Sequence, residues 1–409
     1  MRVPFADSIP RLSDAIEPPV VVGTATLTTA AMHGADADTL ATMIDQVDVD
    51  PTARLYDTSL AYQLAFRRAE GMGIQHQAVA TSPMFRIRRE SQSAAGLRLL
   101  ALVAVGDLML NTPLDFITNY LDVQLDLLFV LPDQELPPTI PDHDVAFFAA
   151  GDADAATVAR LHRLFTMWPR PTLNDPAFLP ALSRETLALL LADLPGICSP
   201  PTAMVKRAQL DELVRDEGAI GDLLRGCSYP ILVRPQGSHA GAGLKKIESI
   251  VDLAEYLVFS FETSYFVTAF VDYRSADGLF RKYRVAFIDR QPHLCHMASS
   301  QNWMVHYLNA GMTESADKRA FEAEAMACFD TTFAVRHREA FAALHERLPF
   351  DYYSIDCSEL SDGRLLMFEA DTAAIIHLMD GEDMFPYKHL HMRRVFDAFG
   401  DMLRRRATA

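Results

Sequence analysis

At 409 residues, with roughly 150 residues to an average domain, the chain has room for two or three domains and a cleft between them. Half of it is apolar and 22% is charged, the composition of a globular protein rather than a disordered, collagenous or membrane one. Its 37 basic and 54 acidic side chains give a net charge of −17, which excludes a nucleic-acid coat and an anionic membrane surface as general partners, because both need a basic face. A local basic site for a phosphate stays open. Five cysteines without a CxxC spacing fit a reducing compartment. The first residues lack a signal-peptide pattern and no window approaches ~18 uncharged apolar residues, so a cytoplasmic protein is expected.

Residues 1–92 read as a mostly helical segment after the short apolar Val20 to Val22. In LYDTSLAYQLAFRRAEGMG, Leu55, Leu60, Ala61, Leu64 and Ala65 recur at helical intervals, with Gly71 and Gly73 ending the run. Such helices suit packing or a homodimer. Past the arginine-rich FRIRRES, the apolar runs LRLLALVAVGD, LDLLFVLPD and HDVAFFAAGD alternate with helical stretches, which predicts a parallel α/β layer. Next come a helix (LSRETLALLLADL), a strand (TAMVKR), and the strand YPILVRP leading directly into QGSHAGAG. YFVTAFVDY and RKYRVAFIDR predict an antiparallel neighbourhood around the turn Asp277-Gly278. Helices fill 314–348, and DYYSIDCSEL and RLLMFEAD predict a hairpin through Ser361-Asp362-Gly363. No internal repeat is visible.

Three groups of residues could carry chemistry. In QGSHAGAG the glycines Gly237, Gly241 and Gly243 let backbone N–H groups approach a phosphate, Ser238 adds a donor, and Arg234 on the preceding strand supplies a cation. The pattern is neither a P-loop nor a Rossmann fingerprint, and by itself equally suits a hairpin tip. On the C-terminal hairpin Glu369 and Asp371 are two apart on one strand and share a face, with Asp356 on its partner. Three carboxylates together call for a cation, and Mg²⁺ is the natural choice beside phosphates; unrelated acids at a solvated strand end are the alternative. Between them RKYRVAFIDRQPHLCHMASSQNWMVHYLNAG gathers Lys282, Arg284, His293, His296, Trp303, His306, Tyr307 and Asn309, a density of hydrogen-bonding groups that suits a pocket. Each histidine alone is more readily a satisfied core or surface residue. His293, Cys295 and His296 lack a fourth zinc ligand, and no GxSxG motif is present.

Taken in order, these features resemble the ATP-grasp superfamily over roughly residues 95 to 390. LNDPAFLPALSRETLALLLADLPGICSPPT is similar to its opening segment, YPILVRPQGSHAGAG to its second cation strand and mobile glycine loop, and IDCSELSDGRLLMFEAD to its magnesium hairpin. FVDYRSADGLFRKYRV, HYLNAGM and FEADT resemble a narrower bacterial group often found behind tetratricopeptide repeats, whose roughly 34-residue period is not visible here. The resemblance implies an α/β chain, α+β in its C-terminal part, divided into four parts. These are an N-terminal helical segment (1–92), a pre-ATP-grasp α/β domain (93–183), a small subdomain with the glycine loop (184–260) and a large subdomain with the magnesium hairpin (261–409). Matched position by position, it implies Arg184 and Arg234 as ATP-phosphate cations and Ser238, His239 and Gly241 as the loop over the β/γ-phosphates. The hinge strand, through Phe266, Val267, Thr268, Ala269 and Phe270, would meet adenine with its backbone, and Asp272 would also contact the nucleotide. Arg284 would hold the γ-phosphate or an acyl phosphate, and Asp356, Glu369 and Asp371 would be the Mg²⁺ ligands. Lys282 departs from the family, standing near a position that is often acidic.

The implied activity is ATP-dependent ligation. A carboxylate is activated as an acyl phosphate and condensed with an amine or other nucleophile, releasing ADP and phosphate, in the biosynthesis of a small peptide-like metabolite. The partners would be a small-molecule or peptide carboxylate and an amine, with His296, Trp303, His306, Asn309 and His377 as substrate-pocket candidates. A phosphotransferase on the same fold, and a non-catalytic nucleotide-binding interaction protein, are the alternatives.

Overall fold

The computed structural model describes residues 8–47, 50–89, 96–216, 218–238 and 241–408. His239, one of the expected loop residues, lies outside them. The described chain is a mixed α/β protein with three main sheets and a short two-stranded one.

The first sheet runs Val20–Val21, Met84–Ile87, Val123–Phe129, Leu97–Val103, Val145–Phe148, Thr172–Leu173, and is parallel except where Met84–Ile87 meets Val123–Phe129. Leu97–Val103 reads as an unbroken apolar run because both its faces are covered. Leu99, Ala101 and Val103 enter one core with the N-terminal helices, while Leu100 and Leu102 enter a second beneath helix Ala155–Met167. This sheet corrects the expected division at 92/93: the strands Val20–Val21 and Met84–Ile87 of the helical segment belong to the same sheet as those beyond it, so the described part of that segment is built into the α/β layer. The helical run also breaks elsewhere than expected. Helix Pro51–Leu64 ends at Phe66, whose φ is +61°, and Gly71 and Gly73 lie inside the next helix, Arg68–Thr81. At Gly71 the two helices touch closely, since a Cβ there would stand 2.7 Å from the Ser59 carbonyl oxygen.

The second sheet is antiparallel, in the order Thr202–Lys206, Ser264–Ala269, Ile231–Pro235, Lys245–Ile247. The third runs Gln291–Ser300, Phe280–Ile288, Tyr352–Glu359, Leu365–Asp371, Ile197–Cys198, antiparallel but for the last pair. Hence YFVTAFVDY and RKYRVAFIDR are not neighbours in one sheet: Ser264–Ala269 is hydrogen-bonded on both edges in the second sheet and Phe280–Ile288 on both edges in the third. The expected boundary at 260/261 falls ahead of a strand that belongs with the preceding subdomain. The hairpin at Gly363 forms as expected, with φ +84° at the glycine.

Two connections fix the first sheet to the third. Asn174, with φ +60°, places its side-chain amide against both backbone groups of Tyr352, at 2.7 and 2.8 Å. The C-terminal helix Pro386–Ala407 sets Phe399 against Phe147 and Tyr352, at ring distances of 6.1 and 5.3 Å. No described helix is long and apolar enough to cross a membrane.

Candidate functional site

The third sheet lines up charged residues across adjacent strands. Cross-strand pairing puts His296, Arg284, Asp356 and Glu369 side by side in one row. Two register shifts border this row, where Cys295 and Phe368 are the extra residues, and such bulges re-aim the side chains beside them. Asp356 is only 2% exposed. Its Oδ1 accepts from Arg284 Nε at 2.8 Å, and its Oδ2 accepts from Arg284 Nη2 at 2.9 Å and lies 2.6 Å from Lys282 Nζ. Lys282 reaches it from two residues along the Arg284 strand, hence from the same face. Glu369 is held by Arg184 Nη2 at 2.5 Å, and Arg184 opens helix Arg184–Leu191 behind the Ser183 N-cap. Asp371, two residues beyond Glu369, accepts the Ala373 N–H at 2.7 Å.

These contacts set the ionisation of each acid. Burial works against the Asp356 carboxylate, but Arg284 and Lys282 outweigh it and hold the group well below the usual range. Burial is likewise outweighed at Glu369, chiefly by Arg184. Among the described residues no cation contacts Asp371 directly; burial, opposed by the Ala373 N–H and reinforced by the Glu369 charge, raises it to about 6.

Across the cleft, the second sheet has two unlike faces. Ile231, Val233, Val205, Tyr265 and Val267 bury against helices Arg207–Arg215 and Ile250–Phe259. Strand alternation turns Met204, Leu232, Arg234, Lys246, Phe266 and Thr268 the other way. Arg234 donates to the Ser238 hydroxyl at 3.2 Å and to the Ser238 carbonyl, folding the glycine loop onto its own cation. Burial and the like charge of Arg184 lower the Arg234 guanidinium to about 10. Among the described residues no carboxylate is paired with it. Gly237, Gly241 and Gly243 all have positive φ, and a Cβ on Gly241 would sit 3.5 Å from Met304 Sδ, so the loop touches the 301–313 segment.

One expectation needs correcting here. Backbone groups of Phe266, Val267 and Thr268 are committed to strands on both sides, and the N–H groups of Ala269 and Phe270 donate to the Pro201 and Pro230 carbonyls. Pro201 and Pro230 have no N–H to give in return, so of this strand only the carbonyls of Ala269 and Phe270 stay open to an adenine edge, and Phe266, Val267 and Thr268 do not. Val271 and Asp272, just beyond it, have no backbone partner among the described residues. The Asp272 carboxylate pairs with Arg274.

The pocket candidates divide. His296 packs against Tyr307 with ring centroids 4.6 Å apart and planes tilted by 39°, and burial with the Arg284 charge keeps its ring neutral. His306 has a buried Nδ1 without a partner and is kept neutral by burial and by Lys282 and Arg284. His377 accepts the Met379 N–H on Nδ1 at 3.2 Å. Its pKa falls to about 4, through burial against the pull of Asp380, with Lys388 and Arg284 adding to the fall. A neutral ring accepting on Nδ1 carries its proton on Nε2 and can donate there. Trp303 packs edge-on against Phe270 at 5.9 Å, at the second sheet, and Asn309 is exposed.

Sequence reasoning missed the anchor behind these loops. Glu322, fully buried, accepts from Met297 N, Tyr307 Oη and Tyr387 Oη at 3.0, 2.9 and 2.7 Å, while Lys388 lies 2.7 Å from Asp380. Its members lie far apart in the chain. The missed Lys246, 4.1 Å over the Phe270 ring, and the apolar Met204 and Leu232 could have been found from strand alternation.

The acids accommodate Mg²⁺ only in part. Among the described residues no three His, Cys, Asp or Glu side chains stand together as a metal cage. Asp356 has both oxygens taken by two cations, and a divalent ion ~4 Å from each would be repelled by on the order of 8 kcal/mol per pair at an effective dielectric near 20. Glu369 and Asp371 each keep an oxygen with no partner among the described residues, and one or two carboxylates plus phosphates is how Mg²⁺ is ordinarily bound. They fit the ion; Asp356 as it stands does not.

No protein-family model and no curated protein matches the sequence. Among solved structures the chain is similar to D-alanyl-alanine synthetase A from Vibrio cholerae, at 12% identity and a TM-score of 0.46 over 76% of this chain and 99% of that one. It is similar to a D-alanine–D-alanine ligase from Bacillus anthracis complexed with ATP, at 13% and 0.42 over 76% and 99%. A RimK domain ATP-grasp protein from Sphaerobacter thermophilus is similar at 18% and 0.38 over 75% and 99%. The likeness concerns fold alone.

Proposed function

We propose that the chain is an ATP-grasp ligase that activates a carboxylate with ATP and joins it to an amine. One observation carries the reading. Arg184 and Arg234, from different elements, meet at the edge of a patch holding Asp356, Glu369 and Asp371. A polyanion accompanied by a cation suits that arrangement, whereas a simple carboxylate or a bare metal would leave one half of it unused.

Each part has a task. The cleft face of the second sheet, with Met204, Leu232 and Phe266, offers an apolar bed for a base, and Val271 and Asp272 offer free backbone groups at its edge. Arg184, Arg234 and the turn at Ser238 receive the phosphates. Arg284, anchored by Asp356, faces the point where charge develops, and preorganised donors there lower the barrier without reorganising. Bound Mg²⁺, held by Glu369 and Asp371, would draw charge from the phosphate oxygens. The substrate carboxylate oxygen attacks the γ-phosphorus and the bond to the β-phosphate oxygen breaks, releasing ADP and leaving an acyl phosphate. An amine then attacks the acyl carbon, loses a proton, and phosphate leaves. The glycine loop, resting against Met304, excludes the water that would hydrolyse this intermediate. His296, His306 and His377, held neutral around Arg284, can accept or donate hydrogen bonds to a polar amino-acid or peptide substrate without repelling a cationic amine.

The test is condensation. Mixtures of carboxylic acids and amines are incubated with ATP and Mg²⁺ and searched by mass spectrometry for ATP-dependent adducts. An adduct formed by the wild type and absent with Glu369→Ala supports ligation. Stable transfer of the γ-phosphate to an acceptor, or nucleotide binding without turnover, would replace it.

A further inference from the structure

We propose that Lys282 is a built-in substitute for a metal ion at Asp356, so that the chain binds its nucleotide with one divalent ion, held by Glu369 and Asp371, and no second ion at Asp356. The inference rests on the nucleotide reading above and specifies how that site is charged.

Asp356 is already a completed site. It is 2% exposed and receives three short contacts from two cations, which together carry the charge of one divalent ion. Both cations are fixed by the fold. Lys282 and Arg284 stand two apart on a strand hydrogen-bonded on both edges, and the Phe368 ring lies 5.8 Å from the Lys282 ammonium. An ammonium is a compact point charge with three donors, so it can replace an ion electrostatically and bond to Asp356 and a phosphate oxygen at once. Glu369 and Asp371 differ. Among the described residues Glu369 is bound through Oε2 only and Asp371 through Oδ1 only, which leaves Oε1 and Oδ2 for an incoming ion that phosphates and water complete. The patch thus divides into one carboxylate served by tethered cations and two that await an exchangeable one.

Mn²⁺ serves as a probe. The full chain is titrated with Mn²⁺ in the presence of one equivalent of a non-hydrolysable ATP analogue, bound ions are counted by electron paramagnetic resonance, and analogue binding is measured separately by calorimetry. The wild type is expected to hold one Mn²⁺ per bound analogue, with no spectrum of a coupled pair. Lys282→Met should hold two, with the coupled-pair spectrum, because Asp356 is then free on one side; Lys282→Arg should return to one. Arg284 still neutralises Asp356 in Lys282→Met, and Lys282→Gln provides a second variant should that one not fold. A count of two in the wild type overturns the inference and leaves the nucleotide reading standing, as does a count of one in a folded Lys282→Met that binds analogue normally. If the analogue does not bind at any Mn²⁺ concentration, the nucleotide reading fails and this inference with it.

Discussion

Replacing Asp356 by Asn keeps the shape of the side chain but removes the one negative charge beneath Arg284 and Lys282. The amide also turns a donor toward a guanidinium that can only donate. Breaking a buried ion pair by removing one partner costs about 3–5 kcal/mol. Both cations are 22% exposed in their side chains and recover some hydration, so the lower end applies, about 3 kcal/mol. At ~2–4 °C per kcal/mol, the midpoint of thermal unfolding should fall by roughly 6–12 °C at pH 7. The pH dependence supplies an internal control. A carboxyl held below its ordinary value contributes stability that is present above the unfolded value, 3.8, and is lost as pH falls through the folded one. The difference between wild type and Asp356→Asn should therefore be constant from pH 5 to 8 and shrink below about pH 4. Calorimetric unfolding across that range measures it. Equal stability at pH 7, or a difference that grows in acid, would refute the two-cation arrangement.

Arg234→Met should raise the dissociation constant for Mg·ATP about 10–100-fold, a charge-assisted bond being worth ~1.5–3 kcal/mol, with little change in unfolding temperature because among the described residues this guanidinium has no carboxylate partner; calorimetric binding tests it. Asp371→Asn should gain about 2–3 kcal/mol over the wild type between pH 4 and pH 8, since a carboxyl raised to about 6 loses its stabilising contribution as pH rises through that value; a pH-independent difference would contradict it. Gly71→Ala should lower the unfolding temperature by about 2–12 °C, because the methyl group meets the Ser59 carbonyl and overpacking costs ~1–3 kcal/mol; an unchanged temperature would mean that the helices can separate freely.

Local signals in the sequence were dependable where the physics is local. Apolar runs gave the parallel strands, and the Asp-Gly turn gave the hairpin that brings Asp356 to Glu369. Arg234 could be named from its place ahead of a glycine loop, whereas Arg184 came only with the family resemblance. Pairing across long intervals was not legible. Nothing in YFVTAFVDY says that it will lie between Thr202–Lys206 and Ile231–Pro235, and that placement withdraws the backbone of Phe266, Val267 and Thr268 from an adenine contact. The 386–407 helix was signalled by Met392, Val395, Phe396, Phe399, Met402 and Leu403 at helical spacing, a pattern masked by the arginines between them. Lys282 illustrates the remaining limit: its departure from the pattern that the sequence otherwise resembles was visible, but its contact with Asp356 depends on how two strands are registered.

The claim at the centre of the account is that a carboxylate oxygen attacks ATP. Incubating the chain with ATP, Mg²⁺, an amine mixture and a carboxylate mixture labelled with ¹⁸O, and weighing the released phosphate, tests it directly. One ¹⁸O carried from carboxylate into phosphate is the predicted result. Phosphate released without label, while the same carboxylate is consumed, would contradict it.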